Sequence, residues 1–375
     1  MPHAGYATPE GTASFKDAFA GKVDQTFFRP LGGLWMSSVG IGTYLGEADA
    51  ETDAAYSASI VEAIGRGCNV IDSAINYRFQ HSERSIARAL DDMFAEDAVR
   101  REQLVLATKG GFIPFDGAPP ADAEAWMEYM KRTFFDIGCC TPSDIVANCH
   151  CMTPAYIRHE LEASLSNLGV ETIDIYYVHN PETQLQEVPR EAFLERLQAA
   201  FAELEKAVEE GKIRSYGAAT WNGFRADLGE KEYLSLEEVV GAAVAAGGDG
   251  HHFRTVQLPL NLGMSEAFAK PNQQVRGETV SFLAAAAQLD ITVMTSGSIL
   301  QGQAARNLPH VVSEAFPDFE TDGQRAIQFT RSAPGVGVAL VGMRQKSHVE
   351  ENLAVAERPP ATFDQFMKLF RVDES

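Results

Sequence analysis

Short apolar runs bounded by turn residues alternate along this chain with longer segments whose apolar positions recur every three and four residues. The first kind of run predicts buried strands and the second predicts amphipathic helices. The alternation begins with Val39–Thr43 and Ala54–Arg66 and continues through Asn69–Asp72, Ser82–Met93, Leu104–Thr108, Pro154–Leu168, Ile173–Val178 and Arg190–Glu210. It closes with Arg214–Ala218, Leu236–Ala246, Arg254–Leu258, Val275–Gln288, Ile291–Thr295, Gly323–Ser332, Gly337–Val341 and Ser347–Ala356. Strands this rich in Val and Ile, each followed by a helix, imply a parallel sheet covered on both faces. Eight such units predict closure into an α/β fold of the (β/α)8 TIM-barrel type rather than an open sheet. A doubly wound sheet is the alternative, but no G-x-G-x-x-G follows the first strand.

Several segments stand outside this rhythm. Residues 1–30 read as an N-terminal extension, residues 31–357 as the barrel and residues 358–375 as a tail. Around Gly32-Gly33, Thr26–Phe28 and Leu34–Met36 predict a small hairpin plugging the barrel bottom. The segment 110–152 after the third strand and Thr220–Ser235 after the fifth are longer than ordinary loops, and in a barrel both emerge at the C-terminal face, where active sites sit. In the tail, Phe363, Phe366, Leu369 and Phe370 have helical spacing and predict a short element docked on the barrel.

Composition narrows the function classes. The formal net charge is −21 over 375 residues, which argues against a nucleic-acid partner. No run approaches the roughly 20 apolar residues of a membrane span, and the beginning lacks a basic region followed by an apolar block. A cytoplasmic protein without membrane or nucleic-acid partners is expected, with oligomeric state left open. Cys68, Cys139, Cys140, Cys149 and Cys151 do not suit a disulfide framework. Four of them fall in CCTPSDIVANCHC, but adjacent and C-x-C spacings are unlike a zinc knuckle, so free thiols are preferred and no metal is expected. In the same loop His150 is a candidate substrate contact, the alternative being a histidine bonded to backbone. His251 and His252, ahead of the sixth strand, belong to the opposite face. Trp126, Met127, Tyr129, Met130, Phe134 and Phe135 form a stripe that predicts a loop helix packed over the barrel and walling a pocket.

Four strand ends carry polar residues that burial does not require: Asp72, Lys109, His179 and Gln257. Together with Tyr77 the first three form a set suited to carbonyl reduction. A phenol of pKa about 10 is a weak acid at neutral pH; an adjacent ammonium favours phenolate, a carboxylate keeps that ammonium charged, and His179 orients the substrate oxygen.

At these residues the sequence resembles the aldo-keto reductase superfamily. The motifs are VGIGTYLG, NVIDSAINY followed by HSERSIARAL, LVLATKGG, and LEASLSNLGVETIDIYYVHNPE, with GKIRSYGAAT, TVQLPLNL, ITVMTSGSILQG and VGVALVGMRQKSHVEENL farther on. The resemblance implies an NAD(P)-dependent oxidoreductase acting on a small aldehyde, ketone or sugar, or on the corresponding alcohol. It implies Asp72, Tyr77, Lys109 and His179 as the catalytic set, Gly42, Thr43 and Tyr44 beside the nicotinamide, and Gln257 on its carboxamide. Ser296, Gly297, Ser298 and Ile299 would wrap the pyrophosphate with backbone and hydroxyl donors. Gly342–Asn352 would hold the adenosine end, with Arg344, Lys346 and His348 near a 2′-phosphate and Glu351 and Asn352 on adenine. Three departures stand out: Ala219-Thr220 replaces the usual Ser-Asn, with Asn222 as a substitute; Ser296 replaces the aromatic that stacks on the nicotinamide; and His348 stands where many NADPH users have Arg. NADP is favoured over NAD. The alternative function is a nicotinamide-binding regulatory or interaction protein with low turnover; hydrolytic or isomerising chemistry would need a metal cluster or paired carboxylates.

Overall fold

The computed structural model describes residues 1–370. In chain order its elements begin with α1 (Pro9–Ala18), β1 (Phe28–Leu31), β2 (Leu34–Ser37), β3 (Val39–Gly42), α2 (Ala50–Gly65), β4 (Val70–Asp72), α3 (His81–Ala95) and β5 (Val105–Gly110). There follow α4 (Ala123–Met130), α5 (Pro154–Leu168), β6 (Ile173–His179), α6 (Arg190–Glu209), β7 (Ile213–Ala219), α7 (Leu236–Gly247), β8 (Phe253–Pro259) and α8 (Glu266–Ala269). The chain continues through β9 (Pro271–Val275), β10 (Glu278–Ser281), α9 (Phe282–Gln288), β11 (Thr292–Ser296), α10 (His310–Ala315), α11 (Asp322–Ser332), β12 (Val336–Gly342), α12 (Lys346–Leu353) and α13 (Phe363–Met367).

Eight strands close a parallel barrel in the order β3-β4-β5-β6-β7-β8-β11-β12, the (β/α)8 architecture. Because side chains alternate across a strand, each strand's residues divide cleanly. Ile71, Leu106, Tyr176 and Val178 face the helices and join the large outer core. Val70, Val105, Ala107, Ile175 and Tyr177 fill the interior. Two residues beyond Val70, Ala107 and Tyr177 come Asp72, Lys109 and His179, so the parity that buries the interior layer also aims these three polar groups into the barrel mouth. The bottom is closed by the β1–β2 hairpin, paired from Phe28↔Ser37 to Leu31↔Leu34. Its two turn residues, Gly32 and Gly33, have φ of 55° and 84°, the left-handed pair a two-residue hairpin turn requires. Leu31, Leu34 and Met36 pack under the interior layer, and Arg29 ties the hairpin to the carbonyls of Val336 (2.6 Å) and Arg331 (2.6 Å).

One element differs from the periodic reading. The segment expected as a helix over Val275–Gln288 is helical only from Phe282; residues 271–281 form the β9–β10 hairpin, turning at Arg276-Gly277 with φ of 52° and 83°. In the tail, Phe366 is fully buried and stacks on Phe329 at 5.0 Å, with Phe370 beside it. Phe363, expected on the same face, is 60% exposed. Residues 371–375 lie outside the described structure. No helix among the described residues is long and apolar enough to cross a membrane.

Candidate active site

A cavity of about 880 Å3 opens at the C-terminal mouth of the barrel, and Asp72, Tyr77, His179 and Gln257 line its inner end. Lys109 lies just beneath, fully buried, with Nζ 2.6 Å from Asp72 Oδ2 and 2.6 Å from the Ser73 carbonyl. Gln257 Nε2 donates to the other carboxylate oxygen at 2.7 Å. Burial pushes the Asp72 carboxyl up and the Lys109 ammonium down; each charge offsets the desolvation of the other, so either one alone would be stranded in a low-dielectric interior.

Tyr77 stands over this pair. The ammonium is 5.0 Å from its ring centre, and the ring meets Tyr44 at 4.9 Å and His179 at 5.7 Å. The expectation that the ammonium lowers the phenol's pKa is not met. Burial first, then the Asp72 charge and Tyr44, hold it well above 10. The phenol is therefore fully protonated at neutral pH, and its proton is released only as charge develops on an acceptor beside it. The segment after it is strained: Arg78, Phe79 and Gln80 have φ of 50°, 53° and 73°, conformations that cost non-glycine residues energy and persist only when overdetermined. Arg78 supplies that constraint through its ion pair with Asp53 and a 2.9 Å bond to the Glu47 carbonyl, and His81 also reaches Asp53 at 2.8 Å.

His179 is held neutral: burial, Lys109 and His150 all drive its pKa well below 6.5. Its Nδ1 has no hydrogen-bond partner among the described residues. Of the two readings open for His150, substrate contact or backbone-bonded loop histidine, the structure shows the second. It lies behind His179, fully buried, with Nε2 2.8 Å from the His179 carbonyl, because residues 111–113 and 149–151 zip together as the loop leaves and rejoins the barrel. From that loop only Phe112 lines the cavity. The aromatic stripe folds inward on itself: Met130 and Phe134 form a separate small core with Cys139, Cys140, Cys151 and Tyr156, and Met127 is exposed. All five cysteines are free thiols, and among the described residues no cluster has the form of a metal site. His252 pairs with Glu205 ahead of β8, away from the mouth.

The remaining candidates divide along the cavity. Gly42, Thr43, Tyr44, Thr220, Ser296, Gly297, Ser298, Ile299, Gly342, Arg344 and His348 line it. Thr220 Oγ1 is buried without a hydrogen-bond partner among the described residues, as a group awaiting a polar ligand would be. Asn222 does not reach the cavity; its amide turns outward to Glu232 because Glu182 Oε1 gathers the backbone N–H groups of Trp221, Asn222 and Gly223 at 2.7, 3.0 and 3.2 Å. The Ser298 hydroxyl is likewise committed, donating to the Leu340 carbonyl at 2.8 Å, so only its backbone remains for a ligand. Lys346, Glu351 and Asn352 stand outside the cavity wall, although Glu351 and Asn352 converge beside Gly323 and Ala305. Sequence reasoning missed Asn76, Trp221 and the turn Leu300–Gln303 on the wall. Of these only Asn76, immediately before Tyr77, carried a positional signal; the turn's left-handed Leu300, Gln301 and Gly302 (φ 47°, 52°, 87°) have no sequence signature beyond one glycine.

Two outcomes follow. Lys109→Met should lower unfolding free energy by about 3–5 kcal/mol by stranding Asp72, and the double variant Lys109→Met/Asp72→Leu should recover most of it without recovering function; urea unfolding of both checks this, and a double variant no more stable than the single would contradict the coupling. The second concerns pH. His150 is held down to about 4 by burial, so between roughly pH 6.5 and 4 the unfolded chain binds the extra proton. Its contribution is complete above about pH 6.5 and is lost as pH falls toward 4, by at most about 3 kcal/mol. The stability difference between the wild type and His150→Phe should shrink over that range; a difference that grows on acidification would mean the imidazole is not buried neutral.

The model of the Aldo/keto reductase family matches residues 38–227, more than half of the chain. A NADH-specific methylglyoxal reductase from Escherichia coli is 32% identical over 220 residues, covering 56% of this chain and 56% of that protein. A 6-dehydroglucose reductase from Novosphingobium aromaticivorans is 26% identical over 200 residues, covering 52% and 51%. The matched segment spans about half the length of these curated relatives. Among solved structures, the glycerol dehydrogenase from Gluconobacter oxydans has a TM-score of 0.63 at 20% identity, over 94% of this chain and 99% of that one. An aldo-keto reductase from Klebsiella pneumoniae in complex with NADPH has a TM-score of 0.62 at 19% identity, over 92% and 94%. Likeness at that identity speaks to the barrel fold, and the sequence matches carry the assignment: the chain belongs to the aldo/keto reductase family.

Proposed function

We propose that the protein is an NAD(P)-dependent oxidoreductase interconverting a small carbonyl compound and its alcohol, with Tyr77 as the proton donor. The observation that carries this reading is the convergence of Asp72, Lys109, Tyr77 and His179 at the inner end of one cavity. When bound, a reduced nicotinamide dinucleotide supplies hydride to the carbonyl carbon. The chain's own residues manage the oxygen. Tyr77, held protonated, donates to the oxygen as negative charge develops there. The Lys109 ammonium, fixed by Asp72, favours the phenolate left behind. Neutral His179, which can donate or accept one hydrogen bond, orients the carbonyl without a competing charge.

The cavity suits the dinucleotide. Gln257 has one amide hydrogen committed to Asp72, which leaves its carbonyl oxygen and second hydrogen for the carboxamide, and the unpartnered Thr220 hydroxyl can replace a missing contact. Ser296, Gly297, Ser298 and Ile299 present backbone to the pyrophosphate. Gly342 to Asn352 form the adenosine end, where Arg344 lines the cavity with His348 beside it and can meet a 2′-phosphate bidentately; Lys346, Glu351 and Asn352 flank it. That a relative is named as NADH-specific and a structural neighbour is bound to NADPH is consistent with acceptance of either, with NADP preferred.

Tyr77→Phe tests the chemistry. Turnover of NADPH with methylglyoxal, the substrate in the Escherichia coli relative's name, or with a panel of aldehydes and sugars, should vanish while fluorescence titration shows NADPH binding nearly intact; wild-type turnover would refute the donor. For cofactor choice, Arg344→Ala should weaken NADPH binding at least several-fold and leave NADH binding nearly unchanged. Equal losses would mean Arg344 does not meet the 2′-phosphate.

A further inference from the structure

Behind His179 runs a chain of hydrogen bonds whose direction is determined from one end to the other. Arg196 has only donors, and its Nη1 lies 2.6 Å from Gln184 Oε1. The Gln184 amide is thereby oriented, and its Nε2–H points at His150 Nδ1, 2.9 Å away. With Nδ1 accepting, the neutral imidazole of His150 carries its hydrogen on Nε2, which donates to the His179 carbonyl at 2.8 Å. Burial supports this assignment by keeping His150 neutral, since an imidazolium would turn an Nδ1–H against the Gln184 amide. Packing leaves little room for another arrangement. A Cβ on Gly111 would lie 2.9 Å from His150 Nε2 and 3.0 Å from the His179 oxygen, so the loop backbone passes directly against the bond. Phe112 sets its ring edge-on to both imidazoles, at 5.3 and 5.0 Å. The bond falls on the last residue of β6, which still pairs with Ala219, immediately before the backbone turns to a left-handed conformation at Asn180, φ 45°.

We propose that His150 is a positioning residue for His179: held by Gln184 and Arg196, it fixes the carbonyl end of the residue whose imidazole faces the substrate oxygen. The inference rests on the reading that His179 acts on that oxygen. It gives the long loop after β5 a role in catalysis through the backbone rather than through contact with substrate.

The test uses the full chain with NADPH and methylglyoxal, or another carbonyl from the panel that the wild type turns over. His150→Phe keeps an aromatic ring and removes both hydrogen bonds; misplacement of an orienting group by a fraction of an ångström to 1 Å should lower kcat about tenfold to a hundredfold. NADPH binding, read by fluorescence, should stay within about twofold because His150 itself does not line the cavity. His150→Gln can again place an N–H on the His179 carbonyl and should restore kcat to within several-fold. Gln184→Leu, on a different element and leaving Arg196 in place, should lower kcat in the same direction and decides the matter if His150→Phe does not fold. A merely structural role predicts equal kcat per folded molecule in the Phe and Gln variants, and that result overturns the proposal. Tyr77→Phe separates the two levels: if it is inactive while His150→Phe and Gln184→Leu are fully active, the positioning role alone is wrong; if it is active, the reading of the site falls and this inference with it.

Discussion

The structure turns on a buried ion pair. Lys109 has no solvent exposure and Asp72 almost none, so neither charge is tolerable without the other, and the pair is further fixed by the Ser73 carbonyl and Gln257. These partners come from β4, the residue after it, β5 and β8. Their meeting requires the barrel to close in one register, with Asp72 level with Ala107 and Gln257 level with Ala219. A slip of one residue on β5 would turn Lys109 to the outer face and leave Asp72 alone. A pair of this kind adds little to stability when compared with well-packed apolar side chains. What it contributes is a fixed positive charge, itself buried away from solvent, beneath the Tyr77 ring.

Around that pair the chain stabilises conformations that local preference opposes. Three successive left-handed residues follow Tyr77, and the Arg78–Asp53 ion pair holds them. The loop 220–223 is gathered by a single carboxylate oxygen of Glu182. His179 is braced from behind by a loop residue. In each case a polar contact made outside the cavity orients a residue or backbone segment at its wall, while Thr220 Oγ1 and His179 Nδ1 remain buried without a hydrogen-bond partner among the described residues.

The barrel was legible because both of its periodicities are strong: β-branched runs of strand length and helices with a regular apolar face recur eight times. Asp72, Lys109 and His179 were readable as one set because each is a polar residue ending an apolar strand run, and the structure adds that each sits two residues past an interior apolar position. What was not legible depended on contacts distant in sequence. The Arg276-Gly277 turn was hidden inside apolar positions that also satisfy helical spacing, and only pairing with Pro271–Val275 resolves it. His150 reads equally as a pocket residue or as a backbone-bonded loop histidine until Gln184 and the His179 carbonyl are seen to occupy both nitrogens. Asn222 and Ser298 have the right chemistry and the right positions, but Glu182 draws the first one's loop away from the cavity and the Leu340 carbonyl takes the hydroxyl of the second. The direction of the Tyr77 shift was misjudged because the burial of the phenol, which raises its pKa most, depends on the folded surroundings rather than on spacing.

The central claim is that this cavity transfers hydride to a carbonyl whose oxygen is protonated by the chain. Single-turnover stopped flow measures it most directly: enzyme loaded with NADPH, or with NADPH carrying deuterium at the transferred position of C4, is mixed with excess carbonyl and the nicotinamide absorbance is followed. The account predicts a loss of absorbance equal to the bound cofactor, slower with deuterium when the chemical step limits the rate, and slower in deuterated solvent because a phenolic proton moves. Persistence of the bound cofactor's absorbance across a panel of aldehydes, ketones and sugars, with binding intact, would contradict it.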